Sequence, residues 1–191
     1  SCNIVSVGAS NDYSKLGTTH HCFEDINVLS SYEDINLFIP ANEKEFKYLF
    51  EKNYNNKSIN YFRLSEKKFY SKIKSNGFLK KTRKKLLLII VGNSFDMKDI
   101  KQNNFDIYYV NKITKKMNLK FLGRYHRILI VEPYFGNILE RRIKKILKKK
   151  IFISTVSYEE TIIHKYGKKS EQDKYLRFDK KNILKRISNF L

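Results

Sequence analysis

Two periods of apolar residues alternate along the first 65 positions. Ile4-Val5-Ser6-Val7 forms a short apolar run, so residues 2–8 read as a buried strand, followed by a loop over 9–19. Phe23, Ile26 and Leu29 then fall at helical spacing, which predicts a helix from His20 to Ser31. Ile35 to Ile39 reads as the next strand, closed by Pro40. Asn42 stands three residues before Glu45, an arrangement like a capping box, and the helix it opens carries Phe46, Leu49 and Phe50 on one stripe. A third strand is expected over Ile59–Leu64. Short strands separated by helices, with no hairpin signal between them, imply a parallel sheet with helical crossovers.

The pattern breaks at residue 66. Glu66-Lys67-Lys68 opens a polar stretch containing Ser75-Asn76-Gly77 and ending in Lys80-Lys81-Thr82-Arg83-Lys84-Lys85, which reads as an exposed connection with one short strand or turn around Phe78-Leu79. A second alternating unit follows. Its strands are expected at Leu86–Val91, Phe105–Val110, Arg127–Val131 and Ile151–Val156, with a short helix within Ile113–Leu122. A helix opening at Gly136 puts Leu139, Ile143, Ile146 and Leu147 on one stripe, and its basic residues crowd the carboxyl end, where the helix dipole favours them. The tail closes from Asp179 in a helix with Ile183, Leu184, Ile187 and Leu191 on one face. The fold class is therefore α/β: two small open, mostly parallel sheets with helices on both faces, in two domains, residues 1–66 and 86–191, joined by a linker at 67–85.

Composition narrows the function classes. The chain has 191 residues, 41% of them hydrophobic, with 13 Tyr and 14 Phe, enough to bury a core. No apolar run approaches the roughly 20 residues that cross a bilayer, and residues 1–20 lack a secretory signal pattern. Cys2 and Cys22 suggest neither a metal spacing nor a disulfide framework, so a reducing, cytoplasmic setting is expected. The net charge of +20 invites a nucleic-acid reading. Only eight of the 39 basic residues are arginine, however, whereas a surface shaped to fork onto phosphates favours Arg. The chain-wide enrichment in Lys, Asn, Ile, Phe and Tyr reads as compositional drift, and no membrane or nucleic-acid partner is expected.

Candidate chemistry concentrates in Ser14-Lys15-Leu16-Gly17-Thr18-Thr19-His20-His21-Cys22-Phe23-Glu24-Asp25-Ile26. This stretch lies where a strand's carboxyl end meets a helix's amino end, the place where open α/β sheets put their chemistry. Thr18 and Thr19 are natural helix caps, and Glu24 and Asp25 suit the dipole of a first turn. His20 has two readings: a helix-start residue bonded to its loop, or an imidazole that moves protons near neutral pH. Glu132, at the end of a strand, is open to a helix-cap, interface or site role. His126, His164 and Tyr166 have no metal-ligand spacing, and Ser10, Ser94 and Ser154 lack a nucleophile elbow. No phosphate-binding glycine motif occurs.

Val7-Gly8-Ala9-Ser10, Gly17-Thr18-Thr19-His20-His21 and Glu24-Asp25-Ile26 together resemble the later half of the pyrimidine-binding domain of transketolase-like enzymes, which carry Asp-Gly-Pro-Thr-His-Gln and a Glu-Asp helix. Ile39-Pro40-Ala41-Asn42 with Glu45-Phe46 is similar to the family's Val-Pro-Ala-Asp segment, and Tyr61-Phe62-Arg63-Leu64 to the strand ending that domain. Leu87 to Gly92, Ile130-Val131-Glu132 and Gly136 resemble the transketolase carboxyl-terminal domain. The resemblance covers nearly the whole chain, and is more specific in residues 7–64 than from 86 onward.

It implies that His20 is catalytic and that the cofactor is thiamine diphosphate with magnesium held by a domain absent from this chain. His21, which replaces the family's Gln, and Arg63 are the substrate-binding candidates, against a structural or supporting role for His21 and a salt bridge at the domain edge for Arg63. A partner chain or domain carrying the diphosphate-binding half is then implied, in a homo- or hetero-oligomer acting on a small sugar-like substrate. Two positions depart from the family. Its Asp falls on Leu16, and its second Arg, a phosphate grip in enzymes of sugar phosphates, falls on Glu66. A basic α/β module binding nucleic acid or another acidic surface through Lys80–Lys85 and Lys144–Lys150, and a non-catalytic transketolase remnant, are the alternatives.

Overall fold

The computed structural model describes residues 1–69, 74–82, 84–100, 104–147 and 151–191. Of the basic stretches named above, Arg83 and residues 148–150 lie outside the described residues. The first unit contains β1 (Cys2–Ser6), α1 (Asp25–Leu29), β2 (Ile35–Phe38), α2 (Glu43–Asn53) and β3 (Ile59–Arg63). The rest contains β4 (Gly77–Lys80), β5 (Leu86–Val91), β6 (Asp106–Val110), β7 (Lys112–Ile113), β8 (Arg127–Val131), α3 (Ile138–Ile146), β9 (Phe152–Val156), α4 (Lys169–Tyr175) and α5 (Lys180–Phe190). Two sheets result, ordered β1-β3-β2-β7 and β4-β6-β5-β8-β9. Every pair is parallel except β2 with β7 and β4 with β6. The α/β class with two open, mostly parallel sheets holds.

Strand alternation explains how the layers stack. Along β5, Leu88 and Ile90 face a core shared with Ile183 and Ile187 of α5, whereas Leu87, Ile89 and Val91 face a second core with Leu139 and Ile143 of α3. That second core also takes Leu37 and Tyr61 from the first sheet, so the two sheets are packed together through it. On the opposite face of the first sheet, Phe38 and Phe62 stack at 4.5 Å between ring centroids and pack with Leu49 of α2. Gly92, just past β5, sits at φ +52°, and a Cβ there would lie 2.6 Å from the Ile39 carbonyl oxygen. Only glycine allows that approach between the two sheets.

Local chemistry sets several boundaries. Asn42 accepts from Lys44 N–H (3.1 Å) and Glu45 N–H (3.0 Å), the helix start its spacing predicts. Glu45 turns back to Ala41 N–H (3.1 Å) and also receives the Tyr109 hydroxyl (2.7 Å), tying α2 to the second sheet. Glu132, buried at the end of β8, accepts Ile138 N–H at 2.8 Å. A strand-end carboxylate thus satisfies the amino end of α3. Burial pushes its pKa up to about 7, against the pull of the Tyr134 hydroxyl and the helix amides.

Three local expectations are corrected. The helix expected from His20 begins only at Asp25, because Thr18–His20 closes as a 3-10 turn after Gly17. The short helix expected within 113–122 is instead β7 followed by a 3-10 turn at Lys120–Arg124; Ile39 N–H bonds Asn111 O at 2.8 Å, which draws this segment onto the first sheet. β1 is an exposed edge rather than a buried strand, with Ile4 44% and Val5 45% accessible. The sequence pattern also missed α4, whose buried positions are the polar Gln172 and Asp173.

Arg63 and Asp25 form a buried pair at 2.8 Å, with side chains 1% and 8% exposed. Arg63→Leu leaves that carboxylate without its cation and is expected to cost about 3–5 kcal/mol in urea unfolding, much of it recovered in the Arg63→Leu/Asp25→Leu double variant. For Glu132 the folded chain keeps a proton that the unfolded chain has released, so stability falls as pH rises from about 4.5 to about 7. Glu132→Gln keeps an oxygen acceptor for Ile138 N–H and is expected to flatten that segment of the stability profile.

Candidate functional site

The carboxyl ends of the two sheets meet around the loop that follows β1. Ser10 and Cys22 exchange both backbone hydrogen bonds (2.9 and 2.7 Å), closing residues 11–21 into a self-contained loop. Its base is fixed from below. The Arg63 guanidinium donates to Asp25, to Ser10 Oγ (3.1 Å) and to Cys22 O (2.8 Å), and stands 5.8 Å from the centre of the Tyr134 ring. Ser10 Oγ in turn donates to Pro133 O at 2.6 Å, and Phe135 N–H to Phe23 O at 3.0 Å, which couples the loop to the end of β8. Phe23 is sandwiched, stacked on Phe135 at 4.7 Å and edge-on to Tyr158 at 4.9 Å.

A second network holds the loop from the side. Lys169 of α4 lies 3.1 Å from Asp12, and Asp173 receives Asn11 Nδ2 (2.9 Å) and the Tyr158 hydroxyl (3.0 Å). Thr18 Oγ1 bonds Ile163 O, so the segment after β9 leans on the turn that carries the histidines. Between them lies a cleft of about 270 Å³, lined by Thr18, His21, Phe23, Glu24, Asn27, Phe135 and residues 160–163.

Sequence-derived candidates separate here. His20 is exposed on the outer lip, its Nδ1 3.0 Å from Thr19 Oγ1, and is not among the residues lining the cleft. His21 does line it, with its ring edge-on to Phe23 at 5.7 Å. Burial, then the charges of Lys169 and His20, lower the His21 pKa below its ordinary value. Arg63 is buried and faces Asp25, Ser10 and Cys22 rather than the cleft. Burial next to Asp25 pushes the Cys22 thiol up to about 11, which keeps it a poor nucleophile at neutral pH. Leu16 is 52% exposed, and Glu66 donates its N–H to Asp12 at 3.0 Å. Residues 160–163, Asn27 and Phe135 were not anticipated, because only the tertiary fold brings them to the loop.

Among the described residues no three His, Cys, Asp or Glu side chains converge to hold a metal ion. None of the helices described is long and apolar enough to cross a membrane.

No protein-family profile matches the sequence, and no curated protein matches it. Solved structures do. Transketolase from Campylobacter jejuni aligns with a TM-score of 0.74 at 16% identity, over 98% of this chain and 31% of that one. Transketolase from Leishmania mexicana gives 0.77 at 8% identity, over 97% and 30%. A split-gene transketolase, described as an inactive β4 tetramer, gives 0.73 at 12% identity, over 99% and 66%. The chain therefore has the fold of a section of transketolase over nearly its whole length, as the sequence resemblance implied, and spans about a third of the length of the undivided enzymes.

Because the folded His21 resists a proton that the unfolded chain takes up, its contribution to stability is complete above pH 6.5 and is lost as pH falls below it. His21→Gln is expected to reduce the drop in urea midpoint between about pH 8 and about pH 5.5, the window in which an imidazole titrates.

Proposed function

We propose that this chain is the carboxyl-terminal section of a transketolase-type transferase, one that moves a two-carbon ketol unit between sugar-like carbonyl compounds with thiamine diphosphate. The observation that carries this reading is the loop closed by Ser10 and Cys22, which holds His20 and His21 where the carboxyl ends of both sheets meet, within a transketolase-like fold. The division into units 1–66 and 86–191 belongs to the same reading, with β7 as the part of the second unit that reaches across to the first sheet.

The residues present do not fit the whole cofactor. A diphosphate head with magnesium needs converging ligands, and among the described residues no three His, Cys, Asp or Glu side chains converge. In this reading another polypeptide segment holds that head. This chain supplies the wall: Phe23 and Phe135 give an apolar surface, and His21 adds an imidazole biased toward its neutral form. His20, accessible and oriented by Thr19, serves as proton carrier and hydrogen-bond donor to substrate oxygens. Arg63 acts at a distance, by fixing the loop through Ser10 and Cys22.

A chimera provides the test. Campylobacter jejuni transketolase with its matching section replaced by this chain is expected to transfer ketol units in a thiamine-diphosphate-dependent way, above the level of the same enzyme lacking that section. His20→Ala is expected to lower the rate about 100-fold, the scale of one proton-transfer group. A folded chimera with no transfer above the truncated control counts against the reading.

A further inference from the structure

The segment between β9 and α4 carries apolar side chains on its outer side. Ile162 and Tyr166 are 62% and 76% exposed, and Tyr175, the last residue of α4, is 63% exposed. With Glu171, Gln172 and residues 163–167 they line a cavity of about 350 Å³. Ile162 and Ile163 also line the cleft beside His21, so they form the partition between the two spaces. None of His20, His21 and Arg63 borders the outer cavity. The Tyr166 ring is seated against Gly17, where a Cβ would lie 2.6 Å from it.

The wall of this cavity contains an unmet acceptor. Gln172 is 4% exposed, and its Nε2 donates to Lys165 O at 3.2 Å and to Ser14 O at 3.3 Å. Two carbonyls around one atom fix which end of the amide is the nitrogen, because an oxygen there would face both of them. Gln172 Oε1 is then buried without a hydrogen-bond partner among the described residues. An acceptor in that state is costly, and a donor that reaches it recovers the cost. The neighbouring carboxylate does not compete for such a donor, since Glu171 Oε2 already accepts Lys168 N–H at 3.1 Å.

We propose that this cavity binds a neutral, planar aromatic molecule of one or two rings whose edge carries an N–H or O–H donor for Gln172 Oε1. Tyr166 and Tyr175 supply faces for a flat ring, and Ile162 and Ile163 supply an aliphatic wall. An aliphatic chain would fill the same walls and leave the acceptor unpaired. A carboxylate or phosphate would set its charge against the Gln172 oxygen. The inference is independent of the proposed function, because the cavity lies beyond the partition from the histidine cleft and needs no completing segment.

Indole is the probe, titrated into the isotopically labelled chain and followed by amide chemical shifts. Benzofuran, which keeps the shape and puts an oxygen in place of the N–H, is its comparison. Indole is expected to bind with a Kd of about 1 mM, the order of magnitude for a ligand of about nine non-hydrogen atoms, and benzofuran about tenfold more weakly. The shifts are expected at residues 163–167 and at the Gln172 side-chain amide. Gln172→Leu is expected to bring the two probes to equal affinity. Where that variant fails to fold, Tyr175→Ser at an exposed position decides instead: both probes weaken about fivefold and the preference for indole stays. Equal affinity of the two probes for the unaltered chain overturns the proposal, as does a preference for indole that survives in folded Gln172→Leu. Shifts centred on His21 and Asn27, binding that Tyr175→Ser leaves unchanged, or no saturable shift up to about 5 mM indole overturn it as well.

Discussion

The buried ion pair between Arg63 and Asp25 is the contact on which the arrangement of the site depends. A guanidinium taken out of water is stable only with its donors occupied, and here Asp25, Ser10 and Cys22 occupy them while Tyr134 flanks the charge. Each partner comes from a different piece of chain. Asp25 opens α1, Ser10 and Cys22 form the neck of the histidine loop, and Tyr134 follows β8. One cation at the end of β3 therefore sets the position of a loop, a helix and the end of the neighbouring sheet. It orients the site without touching the cleft.

Above that anchor the site is built from contacts of unlike kind, and each has a separate consequence. The stack of Phe23 on Phe135 makes a rigid apolar wall, and the Ser10 hydrogen bond to Pro133 O prevents the two sheet ends from separating. Lys169 pairs with Asp12 beneath the loop, and burial, reinforced by the Lys169 charge, biases the histidine inside the cleft toward its neutral form. Glu132 stands apart from this chemistry. Its burial under the amino end of α3 makes it a helix cap whose own ionisation is costly.

Much of the architecture could be read along the chain because it rests on local periods. Leu86–Val91 and Arg127–Val131 are bounded in the structure as their apolar runs predict, and Asn42 starts α2 by the cap chemistry its spacing implies. Misreadings occurred where local signals were weak or overruled. Phe23 sits at helical spacing from Ile26, yet it packs against Phe135 and Tyr158 from the bend before α1, because a long-range aromatic sandwich outweighs a weak helical preference. β7 has only two residues, too few for any pattern, and exists because β2 offers it an edge. α4 buries Gln172 and Asp173, polar residues whose burial depends on Asn11, Tyr158 and the Ser14 carbonyl.

For the site, the sequence by itself determined that a threonine–histidine turn lies between a strand and a helix at the carboxyl edge of a parallel sheet, since strand order and helix spacing are local properties of the chain. Only the tertiary structure decided that His21 rather than His20 lines the cleft, that Arg63 is an internal anchor, and that residues 160–163 close the far wall. Those outcomes depend on which surfaces 40 to 150 positions apart come into contact, and burial, ion pairing and ring stacking across such distances leave no period in the sequence for an alternation of apolar residues to reveal.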